Sequence, residues 1–130
     1  MKKAAFIALG LVALLHGWFF VLETLLWRSP FALEAMQMTA EQAEATALLA
    51  GNQGVYNLAF AVGLVWSLAT QTVHPERSRG TTHFLLSAII AVGIYGAVSA
   101  RVSILFIQAL PAAIALVLSV LAARSTPRQA

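Results

Sequence analysis

Two ionisable residues, His16 and Glu23, stand in a stretch from Ala4 to Trp27 that otherwise holds no charge. A charge at the centre of a bilayer costs roughly 2.5 kcal/mol or more, so side chains of this kind ask for a purpose. On a helix they lie about 10 Å apart along the axis, too far to touch and close enough to line one cavity. Positions 16, 20, 23 and 27 share a helix face, so His16, Phe20, Glu23 and Trp27 form a stripe. A second polar set, Asn52, Gln53, Tyr56 and Asn57, opens the apolar segment "AGNQGVYNLAFAVGLVWS" at 50–67. Asn52 with Tyr56 and Gln53 with Asn57 are i,i+4 pairs, so their polar groups cover a wide face. An amide unpaired in a waterless medium costs several kcal/mol; these groups need each other, water or a guest. Together the residue types suit the binding of a small polar or cationic solute. Glu23 would attract a cation or exchange a proton, the amides would coordinate the guest, and His16 would change charge near neutral pH.

The elements that must position these residues follow from composition. Of 130 residues, 60% are hydrophobic and 10% charged, against about 25% charged in soluble domains. Apolar runs of ~20 residues match a hydrocarbon core of ~30 Å. The expectation is all-α: an integral membrane four-helix bundle, one domain over 1–130, with helices at roughly 4–27, 46–70, 83–100 and 102–123. Lys2 and Lys3 followed by "AAFIALGLVALL" imitate a secretory signal, but no A-x-A site follows. The run therefore reads as an uncleaved first helix. Lys2, Lys3, Arg77, Arg79, Arg124 and Arg128 fall on one side of four spans and only Arg28 and Arg101 on the other. That asymmetry predicts both termini in the cytoplasm of a bacterial inner membrane. The net charge of +3 thus reflects topology and predicts no nucleic-acid partner.

Between the spans, Ser29-Pro30 ends the first helix, and Thr39 with Gln42 has the form of a capping box that starts a helix running into the second span. Phe31, Leu33, Met36 and Met38 suit either a short interfacial piece or a loop over the outer ends of the helices. The segment "TQTVHPERSRGTTH" at 70–83 reads as a polar loop broken at Pro75 and Gly80, with His74 and His83 solvated. The few residues near Ser99–Ser103 force an antiparallel hairpin of the last two spans. Small residues four apart (Ala13/Gly17, Ala59/Gly63, Gly93/Ala97, Ala109/Ala113) permit close helix packing.

Depth ties the polar residues together. With Trp27, Leu48, Ala100 and Val102 as outer boundaries, Glu23, Asn52, Tyr95 and Gln108 fall roughly 6–9 Å inward. Gln53, Tyr56 and Asn57 follow at about 8–14 Å, and His16 is deepest. The inner half offers little beyond Ser67 and Ser87. All four spans thus contribute polar groups at one level, which predicts an outward-facing cavity lined by His16, Glu23, Asn52, Gln53, Tyr56, Asn57, Tyr95 and Gln108. Pro111 frees a carbonyl nearby. Each feature also has a plainer reading, since amides often act as interhelical glue worth around 0.6 kcal/mol per bond. Trp27 and Trp66 fit the aromatic belts.

His16, Glu23 and Trp27, "NQGVYN" at 52–57, "YGA" at 95–97 and "IQALPAAIAL" at 107–116 resemble a family of small bacterial four-helix membrane proteins catalogued as a domain of unknown function. The resemblance spans essentially the whole chain; it implies the fold and supplies no reaction. Small multidrug resistance transporters likewise carry a glutamate in the first of four helices, but often insert in both orientations, whereas the basic asymmetry here predicts one. The set His16, Trp18, Glu23 and Tyr56 is similar, as a site alone, to those of sterol isomerases that hold cationic species. Three functions remain open: a solute-binding or transport protein, an acid/base enzyme on a lipid-like substrate, and an accessory subunit. The first is expected, with the bilayer and a small molecule as partners and a homodimer if the solute is transported. No enzyme is expected, because no nucleophile–base pair is evident. No cofactor and no metal are expected, since the chain has no cysteine and an ion would need more than His16 and Glu23.

Overall fold

The structure, a computed structural model, describes residues 2–124. Arg128, one of the residues behind the predicted orientation, lies outside them. Among the described residues four helices are long and apolar enough to cross a membrane: α1 (Lys2–Leu25), α3 (Ala40–Thr70), α4 (Pro75–Ser99) and α5 (Leu105–Arg124), with the short α2 (Pro30–Met36) after α1. No strand occurs among the described residues. Within each apolar stretch only 22–28% of residues are buried inside the protein. The remainder includes outward-facing Leu14, Leu48, Phe84 and Val98. Such surfaces suit lipid as solvent, and the chain reads as a multi-pass membrane protein.

Among the described residues two helical turns depart from α-geometry: α1 is π-helical over Val21–Leu25 and α5 over Leu105–Ala109. In α5 the cause is local. Pro111 has no N–H for the carbonyl four residues back and its ring crowds that carbonyl, and the wider turn just upstream relieves both.

The chain forms two compact units, Leu14–Ala61 and Met1–Ala13 with Val62–Ala130, whose boundaries fall inside α1 and α3. In the first, the expected capping box forms: Thr39 N–H donates to Gln42 Oε1 at 2.8 Å and Gln42 N–H to Thr39 Oγ1 at 3.1 Å. Ser29 caps α2 by accepting from Ala32 N–H at 3.2 Å, and Pro30 occupies the first helical position. Gln37 closes α2 in the left-handed region, at φ 52°. The segment after Ser29 is therefore a short helix, with Phe31 packed edge-on against Trp18 at 6.0 Å.

In the second unit α4 and α5 make the hairpin. Ala100 and Arg101 N–H both donate to Gly96 O, at 2.9 and 3.1 Å. Gly93 permits the approach, since a Cβ there would stand 2.9 Å from Ala109 N. The polar segment 70–83 differs from expectation. Helix α4 starts at Pro75 and runs through Gly80, leaving only Gln71–His74 between helices. Pro75 suits a first helical turn, Glu76 favours its positive end, and Arg79 pairs with Glu76 one turn on. Ser78 and Thr82, four apart, turn inward and are buried, while Arg77 and Arg79 stay exposed. His83 accordingly sits within α4, half-buried, its Nε2 3.1 Å from Ser119 Oγ.

Candidate functional site

The first unit brings α1 against α3 at three levels. His16, 1% exposed, meets the Phe60 ring edge-on at 5.7 Å and the Phe19 ring at 5.6 Å. Glu23 accepts a hydrogen bond through Oε2 from Asn57 Nδ2 at 2.7 Å. Trp27 Nε1 donates to Thr46 Oγ1 at 3.1 Å, and that hydroxyl donates to Gln42 O at 2.7 Å. Beyond it Arg28 grips Glu44 twice, Nε to Oε2 at 2.6 Å and an Nη to Oε1 at 3.0 Å. His16, Glu23 and Trp27, the stripe read from helical spacing, thus all meet α3.

The centre of this arrangement is the π-helical turn of α1. Leu26 N–H donates to Val21 O, five residues back, at 3.0 Å. The wider turn sets Glu23 and Thr24 over Gly54 of α3. A Cβ at Gly54 would lie 2.2 Å from Thr24 Oγ1, 3.2 Å from Glu23 Cβ and 3.3 Å from Phe20 O. Glycine therefore sits inside the amide-rich segment because α1 occupies the space a side chain would fill. That approach brings the Asn57 amide within reach of a carboxylate 34 residues away in sequence.

The pair is not saturated. Asn57 is 3% exposed and its Oδ1 has no hydrogen-bond partner among the described residues. Glu23 is half-buried, and its Oε1 has no partner among the described residues. The two free oxygens, one charged when Glu23 is ionised, offer acceptors to a donor-bearing or cationic guest. Among the described residues no three of His, Asp and Glu lie close enough to share a metal ion.

The other predicted positions divide. Asn52, Gln53 and Tyr56 face outward, with no side-chain hydrogen bond to a described residue, although they sit in a membrane-length helix. Tyr95 and Gln108 belong to the second unit, where Tyr95 is 74% exposed and Gln108 is buried in the π-helical turn of α5. The sequence alone assigns no role to Gly54 or Thr24, and it places Trp27 on the stripe and in an aromatic belt without indicating Thr46 as its partner. The available signal was a glycine flanked by amides on one helix and a Glu-Thr pair on its neighbour.

With this geometry in place, the sequence profile of a family described as "Protein of unknown function (DUF1304)" matches residues 10–120. The chain belongs to the DUF1304 family. No curated protein and no solved structure matches it. The DUF1304 match takes in every position from His16 to Gln108 and both π-helical turns. Because that description assigns no reaction or ligand, the functional reading rests on the site itself.

Proposed function

We propose that this DUF1304 protein binds, and as a homodimer transports, a small polar or cationic solute at the Glu23–Asn57 pair. One observation supports this above the rest: a carboxylate and an amide meet at 2.7 Å on membrane-length helices, and each keeps an oxygen without a partner among the described residues. A group that existed only to lock helices would be expected to satisfy itself. The outward-facing amides of Asn52 and Gln53 supply further donors and acceptors at the approach, and His16 with its flanking rings forms the floor. In this reading the site opens to the outer face of a bacterial inner membrane, with both termini cytoplasmic, in keeping with the distribution of Lys and Arg. The chain contains no cysteine, so single-cysteine variants such as Gln37→Cys report the orientation. Labelling by an impermeant maleimide from the outside is expected, and protection would reverse the assignment.

The Asn57–Glu23 bond also suits a purely structural role in an accessory subunit. Thermal unfolding of the detergent-solubilised protein separates the two, with alkali-metal, guanidinium and alkylammonium chlorides added at matched ionic strength. Binding predicts that one class raises the midpoint of the wild type and leaves Glu23→Gln unmoved. A flat response to every salt in both proteins refutes it.

A further inference from the structure

Ser67 is 1% exposed, and its Oγ has no hydrogen-bond partner among the described residues. It lines a cavity of about 260 Å³ within the unit formed by Met1–Ala13 and Val62–Ala130. Lys2, Arg79, Ser78, Thr82 and Ser119 share that lining, with apolar wall from Phe6 and Leu9. Ser78 and Thr82 fall in the segment 70–83, which the sequence presents as a polar loop; extending α4 back to Pro75 turns both inward beside Ser67.

We propose that this cavity binds a phosphate-bearing anion, with Lys2 and Arg79 meeting its charge and the Ser67 and Thr82 hydroxyls donating to its oxygens. The hydroxyls have divided roles. Ser78 donates to Ser67 O at 2.5 Å, which ties the end of α3 to the first turns of α4, so its proton is committed. Ser119 Oγ lies 3.1 Å from His83 Nε2. Ser67 has no such commitment, and a buried donor without an acceptor is the feature that calls for a ligand. The cavity also reaches Pro75 at the start of α4, where the helix dipole favours negative charge. Arg79 pairs with Glu76 in an exposed ion pair, the kind readily exchanged for a charge-assisted bond to phosphate. The shared chemistry is the phosphate group, supplied either by a lipid headgroup, as in basic pockets between membrane helices, or by a free anion.

The test titrates the detergent-solubilised full chain with dihexanoyl-phosphatidylglycerol and separately with inorganic phosphate, reading heat or a shift in unfolding midpoint. Saturable binding of either is expected. Response to the lipid alone assigns the headgroup as the source, and response to inorganic phosphate assigns the free anion. Ser67→Ala removes only a hydroxyl without a partner and leaves a better helix former, so it is expected to fold; it should weaken binding about tenfold, as should Arg79→Gln. Arg77→Gln, exposed and outside the cavity lining, should bind as the wild type does, and so should Glu23→Gln, which separates this site from the solute site. No binding of either compound, or binding unaffected by both Ser67→Ala and Arg79→Gln, overturns the proposal.

Discussion

The two π-helical turns face the same geometrical task and solve it with different chemistry. Each lies against a glycine on a neighbouring helix: Val21–Leu25 over Gly54, and Leu105–Ala109 over Gly93. At Gly93 the intruding atoms are the backbone N and Cα of Ala109, at 2.9 and 3.2 Å, as well as its Cβ. At Gly54 the nearest is the Thr24 hydroxyl, and the Glu23 carboxylate continues past it to Asn57. The turn in α5 is explained by Pro111 two positions downstream; the turn in α1 has no proline inside it. One is a joint between backbones, fixed by packing. The other delivers an ionisable side chain to an amide, and that difference marks the α1 turn as the place to look for chemistry.

Substitutions break the comparison in graded steps, read by SDS-induced unfolding in mixed micelles. Gly93→Ala should cost the most, about 3 kcal/mol, because backbone cannot yield. Adding Ala109→Gly should not restore it, since the backbone of residue 109 would still crowd the added methyl. Asn57→Leu should cost about 2 kcal/mol by leaving Glu23 Oε2 without its donor. Gly54→Ala should cost about 1 kcal/mol, the clash being partly offset by the better helix propensity of alanine. Here Thr24→Ala should rescue it, because the atom 2.2 Å away is removed. Failure of that rescue, or success at Ala109, would erase the distinction between an obstacle made of side chain and one made of backbone. Thr46→Val should be smallest, about 0.5 kcal/mol, as the Trp27–Thr46 bond is exposed to competing partners.

Much of this was legible from spacing. The T-x-x-Q pattern gave the capping box at Thr39, Ser29-Pro30 gave the break, and the short link after Ser99 gave the hairpin. The His16–Glu23–Trp27 stripe could be drawn because period alone places side chains on a face. The segment 70–83 is polar yet helical from Pro75 onward: its buried hydroxyls, Ser78 and Thr82, recur at helical spacing, while Glu76, Arg77 and Arg79 stay exposed. The π-helical turn of α5 had Pro111 as its one local signal; that of α1 had none, for it depends on what approaches the helix as much as on its own residues. For the same reason Gly54 could not be interpreted from α3 alone: its meaning lies in Thr24, 30 positions earlier in the sequence.

Whether a guest reaches the Glu23 carboxylate is tested most directly by infrared difference spectroscopy of the reconstituted protein. Spectra are recorded with and without the cation that stabilises it. A carboxylate band pair that appears on addition of the cation, and vanishes in Glu23→Gln, is the predicted result. An identical difference spectrum in Glu23→Gln would mean that the solute is held elsewhere and that the α1–α3 contact is structural.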